Sequence, residues 1–242
     1  MLTPDLRGKN VVITGASSGL GRATAIAFSK LGANLCLLAR REELLQETGT
    51  LIEGDGALLL TTDISDAAQV HRAADAIADA IGHVDILVNN AAGWFWGSLE
   101  TITPEQLSVL VSTTITGTIL MTKYLLPHLQ KSRDPHIVNV ASTAGIPSRD
   151  FDHTTSSTAY HAAKCGQAGF SEGLRSELKE RGIRVSTLYP GAFASQSTLD
   201  DSPDDIVARY GQGVMGVSDV VDSILFIVSR SPLASVQSLV IA

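Results

Sequence analysis

Short, continuously apolar runs alternate with amphipathic stretches along the whole chain, and this alternation limits its fold more than any other feature. Strands that are apolar on both faces belong in a parallel sheet that helices cover on both sides. Such runs predict strands at residues 10–14, 34–39, 57–61, 84–88, 136–141, 184–188 and 238–241. The stretches between them predict helices at residues 22–31, 41–52, 66–81, 103–130, 158–181 and 217–229. The expected fold is therefore α/β, a doubly wound parallel sheet with helices on both faces.

One domain accounts for the whole sequence. A chain of 242 residues suits a single large α/β domain, and 44% hydrophobic residues are enough for a sizeable core. The sequence contains no internal repeat, low-complexity stretch or linker. We therefore expect residues 1–242 to form one domain, with loops after the fourth, fifth and sixth strands available to a substrate.

Charge and cysteine usage argue against several classes of function. The formal net charge is −7 and there is no basic run, which disfavours nucleic acid and anionic membranes as partners. No apolar run approaches the ~20 residues of a membrane span, and the first strand begins too close to Met1 for a secretory signal. Cys36 and Cys165 lack metal or disulfide spacing and are expected to be buried free thiols. These features predict a cytoplasmic protein without a metal site.

A glycine-rich turn joins the first strand to the first helix. Its glycines follow the pattern G-x-x-x-G-x-G at Gly15, Gly19 and Gly21, which differs from the common dinucleotide pattern G-x-G-x-x-G. Gly15 would permit the tight turn, Gly19 would let the backbone approach a phosphate, and Gly21 would let helix and sheet pack closely. The free amides and positive dipole of a helix N-terminus suit a pyrophosphate. Any tight turn can use glycines, but this placement favours a cofactor site.

The end of the second strand indicates which cofactor would bind. An acid there holds the adenosine ribose hydroxyls of NAD, whereas an arginine suits the 2′-phosphate of NADP. The acid position is occupied by Ala39, and Arg40 and Arg41 follow. A guanidinium matches the geometry of a phosphate, so the sequence favours NADP(H) over NAD(H). In the alternative interpretation, the two arginines lie at an exposed helix start beside Glu42 and Glu43.

Tyr160 and Lys164 lie one turn apart if residues 158–181 are helical. A phenol with a pKa of about 10 is a poor acid or base at neutral pH, and a lysine cation nearby favours the phenolate. Such a pair also occurs by chance, as a half-buried ring and a solvated amine. The ends of the predicted parallel strands strengthen the functional interpretation, because they meet at one edge of the sheet, where ligands bind. The residues expected at that edge are Gly15, Asn89, Ser142 and Pro190.

Together these segments resemble the short-chain dehydrogenase/reductase family, in its compact single-domain branch. The resemblance extends from Gly8 to about Val240. It is carried by five segments, the glycine turn, Asp63-Ile64, Asn89-Asn90-Ala91-Ala92-Gly93, Ser142 with Tyr160-x-x-x-Lys164, and Pro190-Gly191. The resemblance implies a Rossmann fold and an oxidoreductase that transfers a hydride between NADP(H) and a carbonyl or alcohol substrate.

The resemblance also implies a role for each matching residue. Ser142 would donate a hydrogen bond to the substrate oxygen, and Tyr160 would be the general acid for reduction and the general base for oxidation. Lys164 would hold the nicotinamide ribose and lower the pKa of Tyr160. The remaining cofactor contacts would come from the turn (Gly15, Ser17, Ser18, Gly19, Leu20, Gly21), the 2′-phosphate end (Arg40, Arg41), the adenine side (Asp63, Ile64, Asn90, Ala91, Ala92) and the nicotinamide end (Pro190, Gly191, Phe193, Ser195).

Each of these residues also has a purely structural alternative. Ser142 could cap the loop after the fifth strand, and Ser148, Ser156 and Ser157 share its chemistry. Asn89 and Asn90 could be turn-formers. Asp63 could cap the third helix, although Ser65 and Asp66 are better placed for that.

The sequence departs from the family pattern in three places. Thr114 occupies the position of an asparagine that would hold a helix irregularity and a proton-relaying water. Ser142 and Tyr160 are 18 positions apart, which is longer than usual and indicates an insertion at residues 149–157, with Phe151, Asp152 and His153. Ala92 is an added residue in the Asn-Asn-Ala-Gly motif. Thr114 leaves a second function open, a nucleotide-binding regulator that has lost catalysis.

The loops give a coarser prediction of substrate and partners. Trp94, Phe95 and Trp96 after the fourth strand suggest an apolar or aromatic carbonyl substrate, or alternatively a packed loop or an oligomer contact. Residues 199–205 are acidic and could form a lid, and a solvated helix beginning at Pro203 is an equally good interpretation. The Tyr160 helix carries small residues at Ala163, Gly166, Gly169 and Gly173, which would permit either close helix approach across a symmetric interface or packing on the sheet. The resemblance implies a homo-oligomer, either a tetramer or a dimer.

Overall fold

A single parallel sheet forms the centre of the computed structural model, which describes residues 5–54, 56–95, 97–147 and 157–242. Seven strands pair in the order β3-β2-β1-β4-β5-β6-β9, all parallel. They are β1 (Asn10–Thr14), β2 (Asn34–Ala39), β3 (Ala57–Thr61), β4 (Ile86–Asn89), β5 (His136–Val140), β6 (Arg184–Pro190) and β9 (Ser238–Ile241). The predicted doubly wound α/β fold is confirmed.

Helices cover both faces of the sheet. They are α1 (Gly19–Lys30), α2 (Glu42–Thr50), α3 (Ala67–Ile81), α4 (Pro104–Val111), α5 (Thr118–Leu129), α6 (Thr158–Leu178), α7 (Pro203–Tyr210) and α8 (Val217–Val228). One apolar cluster joins α1, α2 and α8 to the sheet and contains Phe28 and Ile224. A second cluster joins α3, α5 and α6 to the other face and contains Ile77 and Met121. Burial on both faces explains why the strands are apolar throughout.

The strand order places the main crevice of the sheet. The chain runs outward from β1 to β2 and β3, then returns to place β4 on the other side of β1. Two strands that lead to opposite sides leave a gap at their carboxyl ends, where open α/β sheets bind ligands. The turn after β1 and the loop after β4 meet at this gap.

The predicted helix at residues 103–130 is interrupted by a wider turn. The segment Ser112–Gly117 is a π-helix between α4 and α5. Gly117 allows close packing there, because a Cβ at this position would lie 2.7 Å from the Ile64 side chain. Taken as one helix, Pro104–Leu129 is long and apolar enough to cross a membrane by length and composition alone. Its most buried side chains, including Leu110, Met121 and Leu125, pack inside the fold as those of a core helix do.

Several boundaries differ from the sequence prediction. The fourth strand starts at Ile86 rather than at 84, because the Val84 amide bonds to the His128 carbonyl. The sixth strand continues to Pro190. Two very short strands, β7 (Phe193–Ala194) and β8 (Met215–Gly216), form a separate parallel pair that the sequence did not indicate. The segment at 199–205 leads into α7, which begins with a Ser202–Asp205 capping box and Pro203 in its first turn.

Candidate active site

A cavity of about 1070 Å³ opens at the carboxyl edge of the sheet. It brings together residues that the sequence predicts for one site but that lie far apart along the chain. Ten of the predicted site residues line the cavity, namely Leu20, Asn90, Ala92, Ser142, Tyr160, Lys164, Pro190, Gly191, Phe193 and Ser195. The turn after β1, the loop after β4 and the segments after β5 and β6 therefore converge, as the strand-end argument predicted.

The start of α6 places Tyr160 and Lys164 on one side of the cavity. The Ser157 hydroxyl accepts a hydrogen bond from the Tyr160 amide at 3.1 Å and caps the helix. Tyr160 therefore lies in the first turn and Lys164 one turn later. The Lys164 Nζ atom lies 5.9 Å from the centroid of the Tyr160 ring. Lys164 is buried, and its amine donates to the Val140 carbonyl and the Gln167 side chain, so the alternative of a solvated amine is wrong.

Ser142 serves the loop and the site at once. It caps a short 3-10 helix, because its hydroxyl accepts from the Ala144 amide at 3.2 Å. The same hydroxyl donates to the Pro190 carbonyl at 3.4 Å, and both Ser142 and Tyr160 line the cavity. The cap and the catalytic interpretation are thus compatible, since the cap holds the hydroxyl beside the phenol.

Burial controls the electrostatics of this pair. It raises the pKa of Tyr160 above its ordinary value, and the hydrogen bond with Ser142 opposes that rise. Burial also lowers the pKa of Lys164 to about 7. Burial therefore opposes the charged form of Lys164, and the lowering of the Tyr160 pKa by Lys164 stays a prediction. The sequence argument considered the charge of the lysine but not the cost of burying it.

The glycine turn fits a pyrophosphate. Gly19 has φ +55°, and a Cβ there would lie 3.3 Å from the Ser195 carbonyl oxygen across the crevice. A Cβ on Gly21 would lie 2.3 Å from the Gly15 carbonyl oxygen, so helix and turn could not pack this closely with any other residue. Within the described part of this turn, the Ser18 side chain makes no capping hydrogen bond and the first turn of α1 carries no acid. Its amides are thus not masked by a side-chain cap.

The other end of the crevice carries both arginines. Arg41 Nη2 donates to Ser18 Oγ at 2.6 Å and to Ser17 Oγ at 3.3 Å, beside the glycine turn. Arg40 points towards Asp63, with 3.9 Å between Nη1 and Oδ2. Ala39, at the acid position, is buried at the end of β2. The structure thus places Arg41 against the glycine turn and Arg40 against Asp63.

The residues predicted on the adenine side have structural contacts of their own. Asp63 accepts from the Ser65 amide and hydroxyl, and Asp66, not Asp63, caps α3. Ile64 is buried beside the π-helical turn. Asn90 Nδ2 donates to the Thr14 carbonyl at 2.9 Å and steadies the glycine turn.

The asparagine motif also joins neighbouring strands. The Ala91 amide donates to the Thr14 hydroxyl. Asn89 is buried and donates to Asn139 and Thr122, which ties β4 to β5 and α5. Asn89 is therefore a structural residue, whereas Asn90 and Ala92 line the cavity.

Two departures from the family pattern meet in one hydrogen bond. Thr114 lies in the π-helical turn, is fully buried, and accepts through its hydroxyl from the Gly93 amide at 3.1 Å. Gly93 follows the added Ala92 and packs so tightly that a Cβ there would lie 2.7 Å from the Leu110 Cα. The Thr114 side chain thus anchors the loop that carries the added Ala92.

The aromatic loop is divided between the core and the surface. Phe95 packs in a cluster with Ala159 and Tyr160, and Trp94 lines the cavity with 64% of its surface exposed. Several predicted contributors lie outside the described residues, namely Trp96, Ser148, Phe151, Asp152, His153 and Ser156.

The structure adds site residues that the sequence argument missed. Ile146, Tyr210 and Val214 line the cavity, and Gln167 contacts Lys164. Tyr210 and Val214, which lie after β7, belong to no recognisable motif. Gln167 could have been found from the sequence, because it is a polar residue three positions after Lys164 in the same helix. Within the described ranges, no group of three or more histidine, cysteine or acidic side chains is placed to hold a metal ion.

Known proteins match this chain over most of its length. Residues 9–205 match the family model described as short chain dehydrogenase. The chain is 32% identical over 214 residues to the bovine (Bos taurus) protein "Dehydrogenase/reductase SDR family member 7B", covering 85% of this chain and 64% of that protein, slightly less than two thirds of its length.

Two solved structures are similar over nearly the whole chain. A short chain dehydrogenase from Burkholderia cenocepacia in complex with NADP has a TM-score of 0.82 at 27% identity, covering 98% of this chain and 97% of that one. A 3-ketoacyl-(acyl-carrier-protein) reductase from Brucella melitensis, complexed with NADH, has a TM-score of 0.82 at 30% identity, covering 98% of each chain.

Proposed function

The chain belongs to the short-chain dehydrogenase/reductase family, and from this premise we propose that it transfers a hydride between NADP(H) and a carbonyl or alcohol group of a small molecule. The observation that carries this proposal is the meeting of Ser142, Tyr160 and Lys164 in one cavity below the glycine turn. Reduction of a carbonyl by hydride transfer needs a proton donor and a group that stabilises the developing negative charge, and these side chains can supply both.

The proposed mechanism assigns each of these side chains a task. The nicotinamide, when bound, supplies or accepts the hydride. In reduction Tyr160 gives its proton to the substrate oxygen as negative charge develops there, and in oxidation the phenolate removes that proton. Ser142 donates a hydrogen bond to the same oxygen, and its loop cap keeps the hydroxyl in place. Protonated Lys164 would hold the ribose hydroxyls and would favour the phenolate.

We propose NADP(H) as the preferred cofactor. Ala39 leaves no carboxylate where NAD-dependent sheets hold the ribose hydroxyls. Arg41 lies over Ser17 and Ser18 at the rim of the turn, where its guanidinium and the two hydroxyls would receive a 2′-phosphate. Arg40 lies nearby and adds positive charge. The related structures were solved with NADP in one case and NADH in another, so the support comes from these side chains.

The cavity wall supports an uncharged, largely apolar substrate. Of the described residues that line it, Lys164 is the one with a charged side chain. Apolar and aromatic side chains form much of the wall, including Trp94, Ile146, Phe193 and Val214. Such a surface favours a carbonyl compound with an apolar or aromatic body. Burial of Trp94 in an oligomer contact is the alternative, and mutation of Trp94 followed by both turnover and mass measurements separates the two.

The experiment that tests the function is turnover by purified protein with NADPH and a panel of carbonyl compounds. Tyr160→Phe should lower turnover by a factor of about 10² or more, because proton transfer is lost, while NADPH affinity changes little. Tyr124→Phe is a matched control, since Tyr124 stacks on His71 away from the cavity. Wild-type turnover by Tyr160→Phe would refute the mechanism.

The same experiment tests the alternative function. A protein that binds NADPH but reduces no member of the panel would support a nucleotide-binding regulator. The observation behind this alternative is that Thr114 occupies the asparagine position and uses its hydroxyl to hold Gly93.

We also propose a cytoplasmic homo-oligomer, either a tetramer or a dimer. Gly169 and Gly173 of α6 have open space where a Cβ would lie, and Leu107, Val111 and Ile119 are exposed along α4 and α5. Both cysteines are free, as suits a reducing compartment, although Cys165 is only partly buried rather than buried as expected. Light scattering during size-exclusion chromatography tests the oligomer, and a monomer at micromolar concentration would refute it.

A further inference from the structure

A chain of buried hydrogen bonds runs behind Lys164, away from the cavity. The Lys164 Nζ atom donates to Gln167 Oε1 at 2.9 Å and to the Val140 carbonyl at 2.9 Å. Gln167 Nε2 donates to the Thr118 hydroxyl at 3.1 Å. The Thr118 hydroxyl in turn donates to the Thr114 carbonyl at 2.9 Å. The chain thus connects the lysine to the residue that replaces the family's asparagine.

The chemistry of the groups fixes the direction of each bond. A lysine ammonium is a donor only, so Gln167 must turn its oxygen towards Lys164. Its NH₂ group then faces Thr118. The Thr118 hydroxyl accepts this hydrogen bond and donates its own hydrogen to a second bond with the Thr114 carbonyl. Gln167 is 0% exposed and Thr118 1%, so water does not compete for these groups. A satisfied and directional network of this kind holds one side-chain geometry.

We propose that Gln167 is the positioning residue of Lys164, and that it supports the lysine from the side where the family pattern has an asparagine. This inference rests on the proposed function, in which Lys164 binds the ribose and favours the phenolate. Gln167 does not relay protons, because an amide does not titrate near neutral pH. It orients the Nζ atom and stabilises the protonated form of Lys164 by accepting from it.

The surroundings of Lys164 leave this role to few groups. Among the described residues, Tyr160 is the titratable side chain beside it. The contacts from β5 and α5 come from uncharged groups, the Val140 carbonyl and Thr118 behind Gln167. His161 and Cys165 flank the lysine along the helix, but both contact the Ala144 carbonyl instead. Because burial alone lowers the pKa of Lys164, acceptors such as Gln167 Oε1 are what favours its charged form.

Two substitutions test the contact in opposite directions. Gln167→Met keeps the volume but removes the acceptor, and Gln167→Glu keeps an acceptor oxygen and adds negative charge. Ser171→Ala is the matched control, because Ser171 is equally buried one turn further along α6 and bonds to the Gln167 carbonyl and Asn139, not to the Gln167 side chain. The pKa of Lys164 is measured by NMR of ¹³C-lysine-labelled protein, assigned with Lys164→Arg. This readout does not require turnover.

The expected result is a Lys164 pKa about one unit lower in Gln167→Met and higher in Gln167→Glu, with Ser171→Ala unchanged. In alcohol oxidation, the acid limb of the kcat/KM profile should move to higher pH in Gln167→Met, with a loss of up to about tenfold at pH 7, since less cationic lysine means less phenolate. An unchanged Lys164 titration in Gln167→Met would overturn the inference. A shifted titration in a protein without turnover would keep the contact and refute the proposed function.

Discussion

Replacing Arg41 tests the cofactor assignment most directly. Arg41 Nη2 lies 2.6 Å from Ser18 Oγ. A 2′-phosphate of NADPH that accepted a hydrogen bond from this hydroxyl would therefore also be within reach of the guanidinium. A hydrogen bond to a charged group contributes about 1.5–3 kcal/mol. Arg41 is exposed, so solvent and salt screen part of this, and about 1–2 kcal/mol remains. Arg41→Ala should therefore weaken NADPH binding by a factor of about 5–30.

The assay is a fluorescence titration that gives the Kd of NADPH and of NADH for each variant. NADH lacks the 2′-phosphate, so its Kd in Arg41→Ala should change less than about twofold, and the NADPH effect should shrink as salt rises. Arg40→Ala should also weaken NADPH selectively. Arg72→Ala, on exposed α3 surface, is the matched control for the loss of one positive charge.

A substitution at the end of β2 should reverse the preference for NADPH over NADH. Ala39→Asp places a carboxylate at the end of β2, where it would accept from ribose hydroxyls and repel a 2′-phosphate. If Arg41→Ala and Arg40→Ala weakened NADH as much as NADPH, the 2′-phosphate argument would be wrong, whatever Ala39→Asp did.

Two further predictions concern the turn and the buried histidine. Gly19→Ala should cost about 1–2 kcal/mol of stability because Gly19 has a positive φ, and it should weaken NADPH binding at least tenfold because the added Cβ enters the crevice beside Ser195. Gly182→Ala is the control, because Gly182 has φ +68° and open space around it. It should cost similar stability and leave the NADPH affinity unchanged. Burial, and then the charge of Arg184, lower the pKa of His136 to about 3, below its unfolded value of about 6.5. The unfolded chain therefore binds the extra proton first, so this stability is present above pH 6.5 and is lost as pH falls towards 3. Urea unfolding at pH 7 and pH 5 should show a loss of about 2 kcal/mol in wild type that His136→Gln lacks, and equal losses would contradict it.

The sequence predicted the sheet and the position of the site well, because both depend on local patterns. Strands that are buried on both faces must be apolar along their length, so they are visible without tertiary information. The glycine turn is equally local, since the φ of Gly19 and the packing of Gly21 cannot be achieved with a larger side chain. Once the strands are assigned, the strand-end rule places Ser142 and Pro190 beside the turn.

The features that the sequence did not predict depend on contacts between distant segments. The resemblance implied a helix irregularity at Thr114, but not its form as a π-helical turn packed through Gly117 on Ile64, because a period of 3.6 residues does not distinguish that turn from a regular helix. Arg40 and Arg41 are adjacent in sequence, and only the loop geometry decides that one faces Asp63 and the other Ser18. The low pKa of Lys164 follows from complete burial, which a residue pattern does not measure.

The departures at Ala92 and Thr114 should be interpreted together rather than one at a time. The Thr114 hydroxyl accepts from the amide of Gly93, the residue directly after Ala92, and Gly93 packs closely against Leu110. Asparagine alone at position 114 would have to fit a longer side chain into a fully buried position that already has a bonded partner. A loss of activity in Thr114→Asn would thus reflect a displaced loop, not a failed proton relay. Because Lys164 is supported through Gln167 and Thr118 to the Thr114 backbone carbonyl, its position does not depend on which side chain residue 114 carries.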